Sequence, residues 1–522
     1  MSSFVGRAAS RARLTAAYRA AVTAAAGPVP GRPGLVLLVG EAGIGKTALL
    51  TEFAADAAAA GATVLWGTSW DDDQAPAWWP WTQAFRTLLR QHAGLRADAP
   101  ADLAAVVPDL VGAPPGPSGG NGEGGRLRIF DAVGQTLGRA GTHAPVVVIL
   151  DDLQWADAST LGLLRFVARQ PLPGAVVLVG AYRPGEARGD VAAGLADLAA
   201  AAELITLQGL GRDEIADLVR TLSGTSAAGR WAALVHERTN GHPFFARELC
   251  RLLTAGGADD EVPAAVREVI GRRLARLPDG CSALLAAAAV AGNHLLPDVL
   301  AEVCGDPAAV VADRIDAVTA AGVVVSGRPA AGTARFAHDL FRETVYTGLP
   351  TARRLDLHAR VARALLLRHE RGAPVFPAEL ARHFAAALPV AGPAPALAWA
   401  YAAADADRAR YAFAEAAGQL TRLRAAAAAA GAQLGDPELI GVLTTEADLR
   451  LRSGDAAAAR SLLDMAWERA RRTGDADLLA RVALGMDRVG ARFAMPRTDL
   501  VTALDTARRA VAGRGTAAEA EV

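Results

Sequence analysis

Residues 40–47 read Gly40-Glu41-Ala42-Gly43-Ile44-Gly45-Lys46-Thr47. No other segment constrains the fold as strongly. Before it stands Leu-Val-Leu-Leu-Val at 35–39, a continuous apolar run of the kind that forms a strand buried on both faces of a parallel sheet. After it, Ala48-Leu49-Leu50-Thr51-Glu52-Phe53 reads as a helix. G-x-x-x-x-G-K-T between a strand and a helix is a phosphate loop. The glycines let backbone N–H groups turn inward, and the helix N-terminus adds partial positive charge. Residues Gly40, Glu41, Ala42, Gly43, Ile44, Gly45, Lys46 and Thr47 are therefore the expected nucleotide-binding set. Lys46 is expected to reach the β- and γ-phosphates, and the Thr47 hydroxyl to ligate Mg²⁺.

Lys46 is the single lysine among 54 basic residues; the rest are arginine. The bias suits GC-rich bacterial coding, and it sharpens the loop assignment. Schiff-base and pyridoxal-phosphate chemistry lack a lysine to use. So does a protein kinase strand. The Asn-Lys-x-Asp reader of guanine cannot be built either, so the expected base is adenine and the expected ligands are ATP or ADP with Mg²⁺.

Residues 146–150, Val-Val-Val-Ile-Leu, form a second buried strand that ends in Asp151-Asp152. Ligands of open α/β sheets sit at such strand ends. Asp151 is placed to hold Mg²⁺ and Asp152 to polarise the attacking water. Gln154 occupies the glycine position of the Asp-x-x-Gly alternative and excludes it. A third strand, 175–181, leads to Tyr182-Arg183. Arg183 there is compatible with a γ-phosphate sensor and equally with a surface arginine.

Five apolar strands at 35–39, 63–66, 146–150, 175–181 and 203–207, separated by helical patterns, predict a doubly wound α/β domain over residues 1–208. The insertion from Trp70 to Trp81 reads as a packed lid in preference to a ligand platform, and that from Gly112 to Gly125 as a flexible loop. Short amphipathic helices over 209–278 predict an all-α lid. Helices followed by two short strands over 279–350 predict a winged-helix-like module. Alanine-rich helical hairpins around 401–423 and 439–472 predict a tetratricopeptide-like region over 351–522.

The remaining composition narrows the class. A formal net charge of −1 excludes a global basic field. Three distant cysteines, Cys250, Cys281 and Cys304, exclude a disulfide framework. No apolar run qualifies as a signal or a span, because the longest uncharged stretch, 384–404, carries three prolines. The expectation is a cytoplasmic protein without membrane partners, in which DNA binding is doubtful.

The ordered series of motifs resembles the signal-transduction ATPases with numerous domains, and more closely the large ATP-binding regulators of the LuxR type with an AAA-like ATPase domain. The elements are Phe4-Val5-Gly6-Arg7, the phosphate loop, Leu150 through Asp157, Gly180 through Arg183, Thr239 through Phe245, Val262-Pro263 with Arg272-Arg273-Leu274, and Phe336-Ala337-His338-Asp339 on to Tyr346, Arg354 and His358. The resemblance implies that Gly6 and Arg7 lie near adenine, that Arg183 is a sensor, and that Pro243 touches the base and holds a closed, ADP-bound form. His338 and His358 are read as parts of the helical arm. No recognition-helix pattern precedes Val522, so a shortened relative, or one whose output lies in a partner, is expected.

The function expected on these grounds is a slowly hydrolysing ATP switch, with Lys46, Asp152 and Arg183 as its catalytic residues. An inducer or protein partner would bind the C-terminal helices, and an ATP-dependent homo-oligomer is kept open. A non-hydrolysing scaffold is the first alternative; a metabolic P-loop kinase is the second.

Overall fold

The computed structural model describes residues 4–69, 76–112, 122–187, 189–254, 266–292, 294–326, 334–490 and 497–512. The chain divides into two compact units: residues 1–113 with 129–364, and residues 114–128 with 365–522. Val262 and Pro263, and Trp70 with the acidic run after it, lie outside the described residues, as does most of the 112–125 loop.

The first unit opens with α1 (Ala8–Ala25), β1 (Gly34–Val39), α2 (Lys46–Ala59) and β2 (Thr63–Thr68). Then come α3 (Trp79–Gln91), the short α4 (Ala93–Ala97) and α5 (Pro108–Val111), and α6 (Gly122–His143). β3 (Val146–Asp151), α7 (Ala158–Arg169), β4 (Val176–Tyr182), α8 (Gly189–Ala201) and β5 (Glu203–Thr206) complete the sheet. All five strands are parallel, in the order β2-β3-β4-β1-β5. This is the five-stranded α/β sheet expected from the apolar runs. The order itself was not legible from them: β4 inserts between β3 and β1, so the strand carrying the phosphate loop and the strand carrying the acidic pair are not direct neighbours.

Burial explains the strand composition. Val36, Leu38, Val147, Ile149, Val177 and Val179 meet Leu14 of α1 and Leu49, Leu50 and Phe53 of α2 in one core. Trp78 and Trp81 are fully buried, and Trp79 nearly so. Trp78 meets Phe130 edge-on at 5.6 Å, and Trp81 donates its indole N–H to Thr160 O at 3.2 Å. These rings are core, which settles the described part of the insertion as a packed element.

Four helices follow: α9 (Arg212–Ser223), α10 (Thr225–Thr239), α11 (Pro243–Thr254) and α12 (Val266–Ala275). The first three share a core of Ile215, Leu218, Val219, Val235, Ala246 and Leu249. Next come α13 (Cys281–Ala291), β6 (His294–Leu295), α14 (Pro297–Cys304), α15 (Ala308–Ala320), β7 (Val324–Ser326), β8 (Ala334–Phe336) and α16 (Asp339–Gly348). The small sheet has three antiparallel strands, β6-β8-β7, where the sequence indicated two. The two-residue β6 is too short to leave a periodicity.

α17 (Thr351–Glu370) carries the chain into the second unit. There follow α18 (Pro377–Ala386), α19 (Leu388–Ala391), α20 (Pro393–Ala409), α21 (Phe413–Ala429), α22 (Asp436–Arg452), α23 (Ala456–Thr473), α24 (Ala476–Gly490) and α25 (Arg497–Val511). Consecutive helices pack on each other from α20 onward. Ile440, Leu443, Leu463, Val482 and Ala503 form one continuous core across four of them. The buried carboxylate of Glu446 is held by Arg424 at 2.8 Å and by the Thr421 hydroxyl at 2.7 Å. Among the described residues, no helix is long and apolar enough to cross a membrane.

Candidate functional site

The loop after β1 turns through two left-handed glycines, Gly43 (φ 79°) and Gly45 (φ 101°), before α2 begins at Lys46. Only glycine adopts such angles without cost. The Lys46 ammonium is almost completely buried and donates to the loop carbonyls of Gly40 at 2.8 Å and Glu41 at 2.9 Å. Burial lowers its pKa, and Arg183 pushes it the same way.

β3 ends at Asp151, which is also buried. Its Oδ2 accepts from the Thr47 hydroxyl at 2.8 Å and its Oδ1 from the Asp152 N–H at 3.0 Å. Burial, with the neighbouring Asp152 charge second, raises the Asp151 carboxyl to about 7. A buried carboxylate beside a hydroxyl, with the Lys46 charge acting on it, is a set of hard oxygen donors that fits Mg²⁺.

Asp152 leaves the strand in a left-handed conformation (φ 55°). Its Oδ1 accepts from Gln154 Nε2 at 2.9 Å and lies 3.6 Å from Arg183 Nη2. Gln154 Oε1 in turn accepts from the Arg183 backbone N–H at 3.0 Å. Arg183 is mostly buried and also faces Glu186 at 3.5 Å. A surface role for Arg183 is thus not what its setting shows. Gln154 ties the ends of β3 and β4 together, a part the sequence offered only as the residue that broke another motif.

Three further segments reach the loop. Gly6 and Arg7 precede α1, both in the left-handed region. Arg7 donates its backbone N–H to Glu214 Oε1 at 2.7 Å and its guanidinium to Ile44 O at 2.8 Å. Glu214, on α9, also accepts from Gly211 N at 2.9 Å. From the turn between α10 and α11, His242 places Nε2 2.9 Å from Ala42 O. Burial lowers the His242 pKa, which favours the neutral imidazole. Its ring stacks on Phe245 at 4.1 Å, and Pro243 is the first residue of α11 beside it.

His338 comes from the end of β8, where it caps α16 by accepting from Leu340 N at 3.1 Å. Its ring lies 4.3 Å from that of Phe244. A Cβ on Gly43 would lie 2.8 Å from His338 Nε2, 2.9 Å from His242 Cε1 and 3.0 Å from Phe244 Cβ. The sequence reading put His338 in the helical arm. The structure puts it against the phosphate loop. His358 does stay in the arm, on α17, 3.2 Å from the Tyr346 hydroxyl. Glu214, His242 and His338 were not singled out as site residues because each meets its partner, Arg7 for Glu214 and the loop for the two histidines, across more than 150 positions of sequence.

Residues 3–179 match the family described as AAA ATPase domain. This segment is similar to AAA ATPase domains, a family to which nucleotide binding belongs. None of the curated proteins matches the chain. Among solved structures, the chain is similar to a signal transduction ATPase with numerous domains, with a tetratricopeptide repeat sensor, from Pyrococcus horikoshii. The identity is 14%, the match covers 99% of this chain and 72% of that one, and the TM-score is 0.47. It is also similar to the ORC2 protein of Aeropyrum pernix in its ADPNP–ADP complexes, at 15% identity over 69% of this chain and 97% of that one, with a TM-score of 0.33. A RuvB variant of Thermotoga maritima matches at 15% identity over 66% and 97%, with a TM-score of 0.28.

Proposed function

We propose that this protein is an ATP-driven signal-transduction switch of the kind its motif series resembles, hydrolysing slowly and governed by how its helical lid and small winged module sit on the phosphate loop. The observation that carries the reading is the convergence of His242 and His338 on the turn at Gly43. A metabolic kinase has no need of two accessory elements closing on its loop.

Lys46 is assigned to the β- and γ-phosphates. Thr47 and Asp151 are assigned to Mg²⁺, which when bound would neutralise phosphate charge. Asp152 is assigned to orient and deprotonate the water that attacks the γ-phosphorus. The bond to the β-bridging oxygen breaks as the new P–O bond forms, and ADP departs. Arg183 is assigned to the charge that develops on the transferred group. Gly6 and Arg7 are assigned to the adenine side, and Pro243 to the base-facing edge of the lid. An inducer or protein partner on the C-terminal helices would bias the lid equilibrium. Association with further copies when ATP is bound belongs to the same reading.

One feature favours a second reading. Asp152 is already engaged by Gln154 and Arg183. A nucleotide-binding scaffold that never turns over would look the same. ATP affinity measured beside ATP turnover, in wild type and Asp152→Asn, separates the two. The switch reading requires turnover that falls at least tenfold in Asp152→Asn while affinity is kept. Tight binding with no turnover in the wild type would establish the scaffold instead.

A further inference from the structure

A cavity of about 140 Å³ lies among α13, α14, α15 and α17, away from the phosphate loop and within the first unit. Three guanidinium groups line it: Arg314 from α15, and Arg353 and Arg360 from α17. The lining holds one carboxylate, Asp306, and one thiol, Cys304. Gly280, the N-cap of α13, closes one side.

The arginines are already arranged. Arg314 is ion-paired with Asp306, and its guanidinium lies across the start of α13, so that a Cβ on Gly280 would come within 2.6 Å of its Nε. Arg360 donates to the last-turn carbonyl of Val303 on α14 at 3.1 Å. Arg353 reaches Asp356 at 3.0 Å, and Arg360 stands 4.0 Å from the same carboxylate. Asp356 does not line the cavity, so cations outnumber carboxylates on the lining three to one. The N-terminal end of α13, an 11-residue helix, adds its partial positive charge on the same side.

We infer that this cavity is a binding site for a small dianion, a phosphate-bearing or dicarboxylate effector, distinct from the nucleotide site. Guanidinium forks suit planar or tetrahedral oxyanions taken two oxygens at a time. Arg353 and Arg360 have side chains 45% and 41% exposed, and their pair with Asp356 is of the surface kind, which contributes little. Arg353, held only by that surface pair, can therefore swing to a bound anion at little cost, while Arg360 is already positioned at the lining by Val303 O. A volume of about 140 Å³ takes orthophosphate, a phosphate-ester head group or a short dicarboxylate, and it is too small for a second nucleotide. A dianion held there would clamp α13, α15 and α17 together.

Cys304 provides a local readout that phosphate bound at the Lys46 loop does not disturb. Alkylation of Cys304 by iodoacetamide is followed by peptide mass spectrometry in the full chain, with buried Cys250 and Cys281 as internal references. Orthophosphate and malonate are compared with chloride at equal ionic strength. Millimolar orthophosphate or malonate is expected to slow Cys304 alkylation several-fold and saturably. Stronger protection by orthophosphate identifies a phosphate effector, and stronger protection by malonate a dicarboxylate. Arg353→Gln is expected to weaken protection about tenfold, and Ala283→Glu, an exposed lining position, to abolish it. Unchanged alkylation with both anions overturns the inference, as does protection that survives both substitutions. If the thiol reacts too slowly to follow, calorimetric titration of orthophosphate into the Lys46→Ala chain decides it. Binding lost in Ala283→Glu supports the site, and no binding overturns it.

Discussion

Substituting Gly43→Ala should loosen the segments carrying His242 and His338 from the phosphate loop. Two costs arise at one methyl group, and they fall on different states. The first is the left-handed backbone at φ 79°, which costs an alanine about 1–2 kcal/mol in any state that keeps the loop shape. The second is contact. The new Cβ would sit 2.8 Å from His338 Nε2, 2.9 Å from His242 Cε1 and 3.0 Å from Phe244 Cβ. Overpacking of this degree costs about 1–3 kcal/mol, and it is felt only while both elements rest on the loop. At about 1.4 kcal/mol per tenfold, the closed arrangement should lose roughly one to two orders of magnitude in population relative to an open one. Hydrogen exchange at residues 239–245 and 336–342 should accelerate by that factor, and a fluorescent ADP analogue should leave correspondingly faster. Adding His338→Ala should recover part of the effect by removing the nearest atom. Unchanged exchange in both segments, with only a uniform drop in melting temperature, would show that the accessory elements do not press on the loop, and the switch reading would lose its main support.

Lys46→Ala should abolish or greatly weaken ATP binding with the fold retained, and Lys46→Arg should not rescue it, because the guanidinium fork is larger and of another shape; calorimetry reads both. Asp151 is held up to about 7 from 3.8, so between those values the folded chain binds more protons than the unfolded one. From this group, stability falls as pH rises through that window. Mg²⁺ requires the carboxylate, so Mg²⁺-dependent nucleotide affinity should strengthen as pH rises through about 7, and Asp151→Asn should flatten that profile; a pH-independent wild type would refute the assignment. Trp81→Ala removes a fully buried ring and its bond to Thr160 O, and should cost about 3–5 kcal/mol in denaturant unfolding of the first unit.

The strands were legible because a strand buried on both faces must be apolar at every position, and 35–39 and 146–150 satisfy that without exception. The loop was legible because phosphate binding by backbone demands glycine at fixed offsets. What the sequence did not reveal is what depends on distant partners. Strand order is decided by which edges meet, and nothing inside β4 says that it lies between β1 and β3. The α24–α25 pair was read only as part of the helical stretch 351–522, because its membership of the repeat core is set by distant partners: Met486 and Ala503 join the same core as Leu443. Glu214 in α9 and His338 at the cap of α16 are ordinary residues locally and acquire meaning only where Arg7 and Gly43 come to them.

The buried ammonium of Lys46 has a practical corollary. Every other basic side chain is an arginine, so apart from the N-terminus this protein has one primary amine, and it faces the carbonyls of Gly40 and Glu41. Reagents that acylate amines therefore find almost nothing on the outer surface to mark. Mass added by an amine-directed reagent beyond the terminus thus reports a single event, the uncovering of the loop. By the same logic, acetylation or any other lysine-directed modification of a side chain in this chain could act in only one place.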